Sequence, residues 1–282
     1  MSNPRRSFGW IARQLAKKPS ARVGGTIVLV LIVCALLAPV IAGQDPLRTD
    51  ALNRLQPPSA AHWLGTDEVG RDLFSRIVHG ARYFLLICLF SVAIKAALGI
   101  SLGLAAGAGP NWLDLAIMRV VDVMLAFPYI LLVLAIVAIL GPSLWTAMIA
   151  VGIAGAPAYA RIVRSEVLAV KKEEYVEAER ALGAGVVRIA FGTILPNVAS
   201  SLIVYTSFAM PLAVLSAAAL SFLGLGAQPP LPEWGAMVVG ARTLLQTAWW
   251  VAAAPGVAIF LSVLALNLLG NALRDVLDPR AQ

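Results

Sequence analysis

The residues of this chain best equipped for chemistry are its few charges, and they fall in two settings. Glu173, Glu177, Glu179 and Arg180 crowd into one polar island, whereas Lys95, Arg119 and Asp122 stand inside long apolar runs. A charged island orients a docking partner. A charge within an apolar run costs roughly 2.5 to 3.5 kcal/mol on insertion scales, so it faces protein or water rather than lipid. Other chemistries lack their residues. His62 and His79 lie far from Cys34 and Cys88 and beside no acidic cluster with ligand spacing, so no metal site is expected. There is no nucleophile-elbow pattern and no Gly-rich phosphate loop ending in Lys-Ser or Lys-Thr. Catalysis, a bound cofactor and unaided ATP hydrolysis are not expected of this chain.

The elements that position these charges belong to a membrane. Of 282 residues 60% are hydrophobic and 13% charged, with a mean hydropathy of +0.83, against about 25% charged in soluble proteins. The chain reads as an all-α polytopic helix bundle whose solvent is the lipid bilayer. Its net charge of +7 and pI of about 9.8 report orientation rather than nucleic-acid binding. Both cysteines lie in apolar runs, where a thiol behaves as a small hydrophobe.

Residues 1–23 carry Arg5, Arg6, Arg13, Lys17, Lys18 and Arg22 without an acid, and 24–43 follow without a charge. This order predicts a cytoplasmic tail and a first span. A cleaved signal peptide is the alternative, but the apolar run exceeds the usual 7 to 15 residues. A polar outer loop is expected over 44–83. Further spans are expected at 84–108, 114–140, 145–163, 198–222 and 249–270, giving six in all, five of them within a core of 84–275, then a cytoplasmic tail at 276–282. With both ends inside, Lys and Arg number fourteen on inner segments and six on outer ones, in the direction of the positive-inside rule. Trp63 and Trp234 in the outer segments suit the membrane interface.

The largest inner loop, 164–197, reads as two short helices about a glycine. On a helix from Lys172 to Leu182, Tyr175, Ala178 and Leu182 share one side while Glu173, Glu177 and Arg180 share another. Gly183 ends that helix, a second runs from Val186 to Ile194, and Pro196 suits the first turn of the fifth span. Within the membrane, Arg119 and Asp122 at i, i+3 can pair, and Lys95 either reaches Asp122 on the adjacent helix or lines an aqueous path.

Glu177-Ala178, Gly183 six residues after the glutamate, and Leu195-Pro196, with the proline thirteen after the glycine, resemble the EAA loop of bacterial ABC-importer permeases. Glu179 departs from that pattern where a second alanine is usual, and Thr193 where isoleucine is usual. His62 to Asp72 through Arg82, Leu220 to Gly226 through Trp234-Gly235, and Asn267 to Gly270 through Arg280 resemble the C-type permeases of dipeptide, oligopeptide and nickel importers. The resemblance implies a type I importer permease fold that works by alternating access. It implies a homologous B-type permease, two ATP-binding subunits carrying ATP and Mg, and an extracytoplasmic substrate-binding protein as partners. The island then becomes a coupling helix docked on an ATPase. With the face read from the helix pattern, its coupling residues are Tyr175, Glu177, Ala178, Arg180, Ala181, Leu182, Gly183, Leu195 and Pro196. Di- or oligopeptides are the implied cargo; nickel, glutathione or another small solute are alternatives. A stand-alone secondary transporter would instead carry inverted repeats and broken spans, and no comparable pair of interrupted segments is read in the sequence.

Overall fold

The computed structural model describes residues 8–277, so the readings on Arg5, Arg6, Asp278, Pro279 and Arg280 lie outside the described residues. The helices are α1 (Phe8–Lys17), α2 (Pro19–Ile41), α3 (Leu73–Ala108), α4 (Asn111–Ala126), α5 (Tyr129–Leu140), α6 (Leu144–Val170), α7 (Glu174–Ala181), α8 (Val186–Ile189), α9 (Leu195–Phe222), α10 (Trp234–Gly240) and α11 (Trp250–Leu277). Five are long and apolar enough to cross a membrane: α2, α3, α6, the continuous helix Val186–Phe222 and α11. The sixth expected span is the pair α4 and α5, which passes the same test only together and is bent by 95°.

That bend corrects the expectation of one continuous helix over 114–140. Phe127 and Pro128 are extended at the break, because a proline disfavours helical backbone in the residue before it. The chain does contain an interrupted span.

The spans are held by small residues. Gly99, Gly103 and Gly107 recur every fourth residue on α3 and face Tyr159, Val163 and Val167 of α6. A Cβ at Gly103 would lie 2.5 Å from the Val163 Cβ, and one at Gly107 2.6 Å from the Val167 Cγ1. Lipid gives no hydrophobic reward for helix association, so close van der Waals approach along such a seam supplies it.

The second span begins at Leu73 rather than 84. Asp72 caps it by accepting from the Ser75 amide at 2.7 Å, the ordinary reason a helix starts where it does. Hydropathy misses these turns because their polar residues face protein. Arg76 is 4% exposed, and its guanidinium donates to the Pro46 carbonyl at 3.1 Å. The Arg82 Nε donates to the Ala35 carbonyl at 2.5 Å. The loop before α3 is a folded unit around two buried carboxylates, Asp67 and Asp72. Asp67 accepts from the Val69 and Arg71 amides and from the Arg71 Nε at 2.6 Å. Gly70, with φ of +80°, passes so close to the Asp50 carbonyl that no side chain fits. Trp63 is 67% exposed, but Trp234 does not have the exposed position expected of an interfacial residue: it is buried over Gly80 and donates to the Ile77 carbonyl at 3.1 Å.

The amino-terminal tail contains structure that its charge count does not reveal. In α1, Trp10, Ile11 and Leu15 are half-buried while Ala12, Arg13 and Lys17 are exposed, and Lys18 ties the following turn to α11 through Asp275 at 2.7 Å. An amphipathic helix of this kind lies along a membrane surface.

Candidate functional site

The polar island folds as an elbow. Its first arm, α7, carries Glu174 and Glu177 in the first turn and Arg180 in the last, each sign opposing the helix dipole at its end. Val176 pins the arm. It is fully buried and belongs to a cluster with Val167 of α6 and Ile189, Ala190, Ile194 and Val198. The arm ends at Gly183, whose φ is +85°. The Gly183 amide donates to the Arg180 carbonyl and the Ala184 amide to the Glu179 carbonyl, the paired bonds of a Schellman terminus.

The second arm differs from expectation. It does not stop at Ile194, and Pro196 does not open a separate span; Val186–Phe222 is one continuous helix of 37 residues. Proline has no amide hydrogen and its ring crowds the carbonyl four residues earlier. The helix answers with a π turn over Ala190–Ile194, in which the Leu195 amide reaches back to the Ala190 carbonyl. The Asn197 side chain donates to the Thr193 carbonyl at 2.7 Å. The elbow is therefore joined rigidly to the membrane helix that follows it.

The outward surface of the elbow is apolar. Tyr175 and Ala178 are exposed, Leu182 is 88% exposed, and Val186, Val187 and Phe191 extend the patch along the second arm. Burial and the neighbouring Glu173 and Glu179 push the Tyr175 hydroxyl pKa up. The side turned inward is tied to the bundle. Lys171 donates to the Gly107 carbonyl at 2.9 Å, at the end of α3, and burial followed by the Arg180 charge draws its pKa down. Sequence reasoning found Tyr175, Glu177, Ala178, Arg180, Ala181, Leu182 and Gly183 on this element and missed Val176, Val187 and Phe191. A valine one residue from Tyr175 on an eight-residue helix gives no signal of which face is covered.

The intramembrane charges do not pair as expected. Asp122 accepts from Arg161 of α6 at 2.5 Å rather than from Arg119 or Lys95. A second bridge joins the same two helices, Arg164 holding Asp114 through Nε at 2.5 Å and through its terminal nitrogen at 2.6 Å. Arg161 falls in the last turn of the span expected at 145–163, and Arg164 one residue beyond it. Arg119 is exposed and forms no ion pair among the described residues. Lys95 reaches no carboxylate; its ammonium sits 5.8 Å from the centroid of the Tyr159 ring. No group of three or more His, Cys, Asp or Glu side chains among the described residues is placed to hold a metal.

Residues 99–282 match the family model described as binding-protein-dependent transport system inner membrane component. The chain belongs to this permease family. Residues 7–58 match a second model, the N-terminal TM domain of oligopeptide transport permease C. The chain is similar to the dipeptide transport system permease protein DppC of Alkalihalophilus pseudofirmus, at 47% identity over 95% of this chain and 88% of the relative. It is 51% identical to the di/tripeptide transport system permease protein DppC of Pseudomonas aeruginosa, over 92% of this chain and 88% of that one. The glutathione transport system permease protein GsiD of Pectobacterium atrosepticum is 46% identical over 95% of this chain and 89% of its own. A chain of the MetNI methionine ABC transporter, solved in inward-facing conformations, shares the fold. It superposes with a TM-score of 0.59 at 20% identity, over 71% of this chain and 96% of that chain. The permease is a multi-pass inner membrane component with the type I ABC importer fold, a pore subunit of its transporter.

Proposed function

We propose that this permease is the C-type subunit of an ATP-driven importer of di- or oligopeptides, and that its elbow is the joint through which ATP hydrolysis reaches the membrane. The observation that carries this reading is the elbow's division of labour. One side is welded to the bundle through Val176, Lys171 and the continuous helix from Val186, while the other presents Tyr175, Ala178, Leu182 and Val187 exposed among the described residues. A surface of that kind needs a second protein to cover it. ATP-binding subunits, two per complex and holding ATP and Mg, are the partners that fit. A homologous permease completes the path, and an extracytoplasmic binding protein delivers cargo to the folded loops around Asp67 and Trp234.

In this reading α4 and α5 form one broken span, and both described ends lie on the cytoplasmic side with the elbow. Closure of the ATPases pushes α7, and the rigid link through Val186–Phe222 carries that displacement into the bundle. Cargo must interact differently with the inward and outward states, since a ligand shifts an equilibrium only by its differential affinity. Relatives named for dipeptides, di/tripeptides and glutathione support short peptides as the cargo class. The test is import of labelled dialanine into proteoliposomes holding the complete transporter and its binding protein. Import that requires ATP hydrolysis supports the reading. Import that persists when hydrolysis in the partner is abolished contradicts it.

A further inference from the structure

The break between α4 and α5 opens a cavity of about 150 Å³ inside the bundle, bordered by Phe127, Tyr129 and Leu132 from the break and by Ser91 and Lys95 from α3. Three features of its wall stand out against the apolar interior. Ser91 is 1% exposed, and its hydroxyl has no hydrogen-bond partner. A buried polar atom left unsatisfied costs of the order of 1–3 kcal/mol, so proteins retain few of them without a use. One turn along the same face, Lys95 lays its stem across Gly155, where an added Cβ would lie 3.1 Å from the lysine Cδ. Its ammonium faces the Tyr159 ring and no acid, because Asp122 is taken by Arg161.

The third feature is the start of α5. This helix runs twelve residues from Tyr129, and no side chain caps its first turn. Half-helix N-termini in broken spans carry a partial positive charge and point at anionic groups of transported solutes. Here that end, an ammonium and a free hydroxyl border one small space, and the remaining wall is apolar, from small Ala154, Gly155 and Ala209 to larger Met124, Val151 and Leu212.

We propose that this cavity is a carboxylate subsite on the cargo path, in which Lys95, Ser91 and the first turn of α5 hold the terminal carboxylate of a passing short peptide. The assignment rests on the peptide-importer reading above and specifies its chemistry. A single cation balances a single carboxylate, and a cavity of about 150 Å³ excludes bulky anions while admitting the end of a peptide. One ammonium and one hydroxyl bind weakly enough for release, which conduction through a path requires. The helix break also places the subsite on an element able to move when the elbow moves, so occupancy and conformation are linked.

The test uses the complete transporter in proteoliposomes, with its binding protein saturated by dialanine. Lys95→Met is expected to lower the ATP-driven import rate about tenfold, the loss of one hydrogen bond to a charged group. Ser91→Ala is expected to lower it about threefold while leaving the thermal midpoint of the purified complex unchanged, since its hydroxyl bonds nothing in the chain. Wild-type import rates in both variants overturn the subsite. So does a Lys95→Met complex that sheds its companion permease while Ser91→Ala imports normally, because the lysine then answers a carboxylate of that partner. A wild-type complex that does not import dialanine overturns the peptide reading itself, and the subsite with it, before any variant is made.

Discussion

The Thr193 hydroxyl donates to the Glu179 carboxylate at 2.7 Å, across the elbow from one arm to the other. These are the two positions at which the chain departs from the EAA pattern, which carries an alanine and an isoleucine there. The departures compensate each other: a charge-assisted hydrogen bond stands in place of an apolar contact.

That pairing predicts non-additivity. Glu179→Ala and Thr193→Val each remove one partner, and each is expected to destabilise the elbow by about 1 kcal/mol. The double variant should cost little more than either alone, which a double-mutant cycle on limited proteolysis of the 172–197 segment measures directly. Fully additive costs would mean that the bond contributes nothing.

Gly183 is expected to be intolerant for a backbone reason. Its φ of +85° is open to glycine at little cost, whereas an L side chain there costs about 1 kcal/mol. Gly183→Ala should weaken coupling by a few-fold. Gly183→Pro, which fixes φ near −65° and removes the amide that donates to Arg180, should abolish cargo-stimulated ATP hydrolysis while the membrane helices remain folded by circular dichroism.

The glycine seam sets a separate limit on the membrane fold. Gly103→Val places side-chain carbons where Val163 already stands, and overpacking costs typically 1–3 kcal/mol. The expected result is loss of the assembled complex on purification, whereas Gly185→Ala, with open space around it, should assemble normally.

Asp67 supports the outer loops by a different mechanism. It is buried with Arg71 at 2.6 Å and Arg76 at 3.7 Å. Removing one partner of a buried pair leaves an uncompensated charge, at roughly 3–5 kcal/mol. Asp67→Ala should lower the thermal midpoint of the complex markedly, and Asp67→Asn, which keeps an acceptor for the Val69 and Arg71 amides, should recover part of the loss.

Much of this fold is legible as hydropathy, because lipid demands apolar helices of a minimum length and the chain supplies them. The elbow is legible because Gly183 and the Glu177-Ala178 pair announce a helix end and a docking face. What hydropathy hides is polar sequence that folds as helix against protein: Arg76 and Arg82 read as loop, yet their guanidinium groups find backbone carbonyls inside the molecule. The partner of Asp122 is hidden as well. Arg161 is thirty-nine residues away, and no periodicity within one helix reports a contact between two. The break at Phe127-Pro128 was marked only by the proline, which membrane helices often tolerate without bending so far.

If the exposed side of the elbow seats the ATPase, a charge placed at Leu182 should unseat it. Leu182 is 88% exposed, so its side chain contributes little burial to the fold. Leu182→Asp, purified through a tag on this permease, should keep its companion permease and its helix content, and should lose both the ATP-binding subunits and ATP-driven import of dialanine. If that variant retains the ATP-binding subunits and imports at the wild-type rate, the elbow is only a surface loop and the ATPase sits elsewhere.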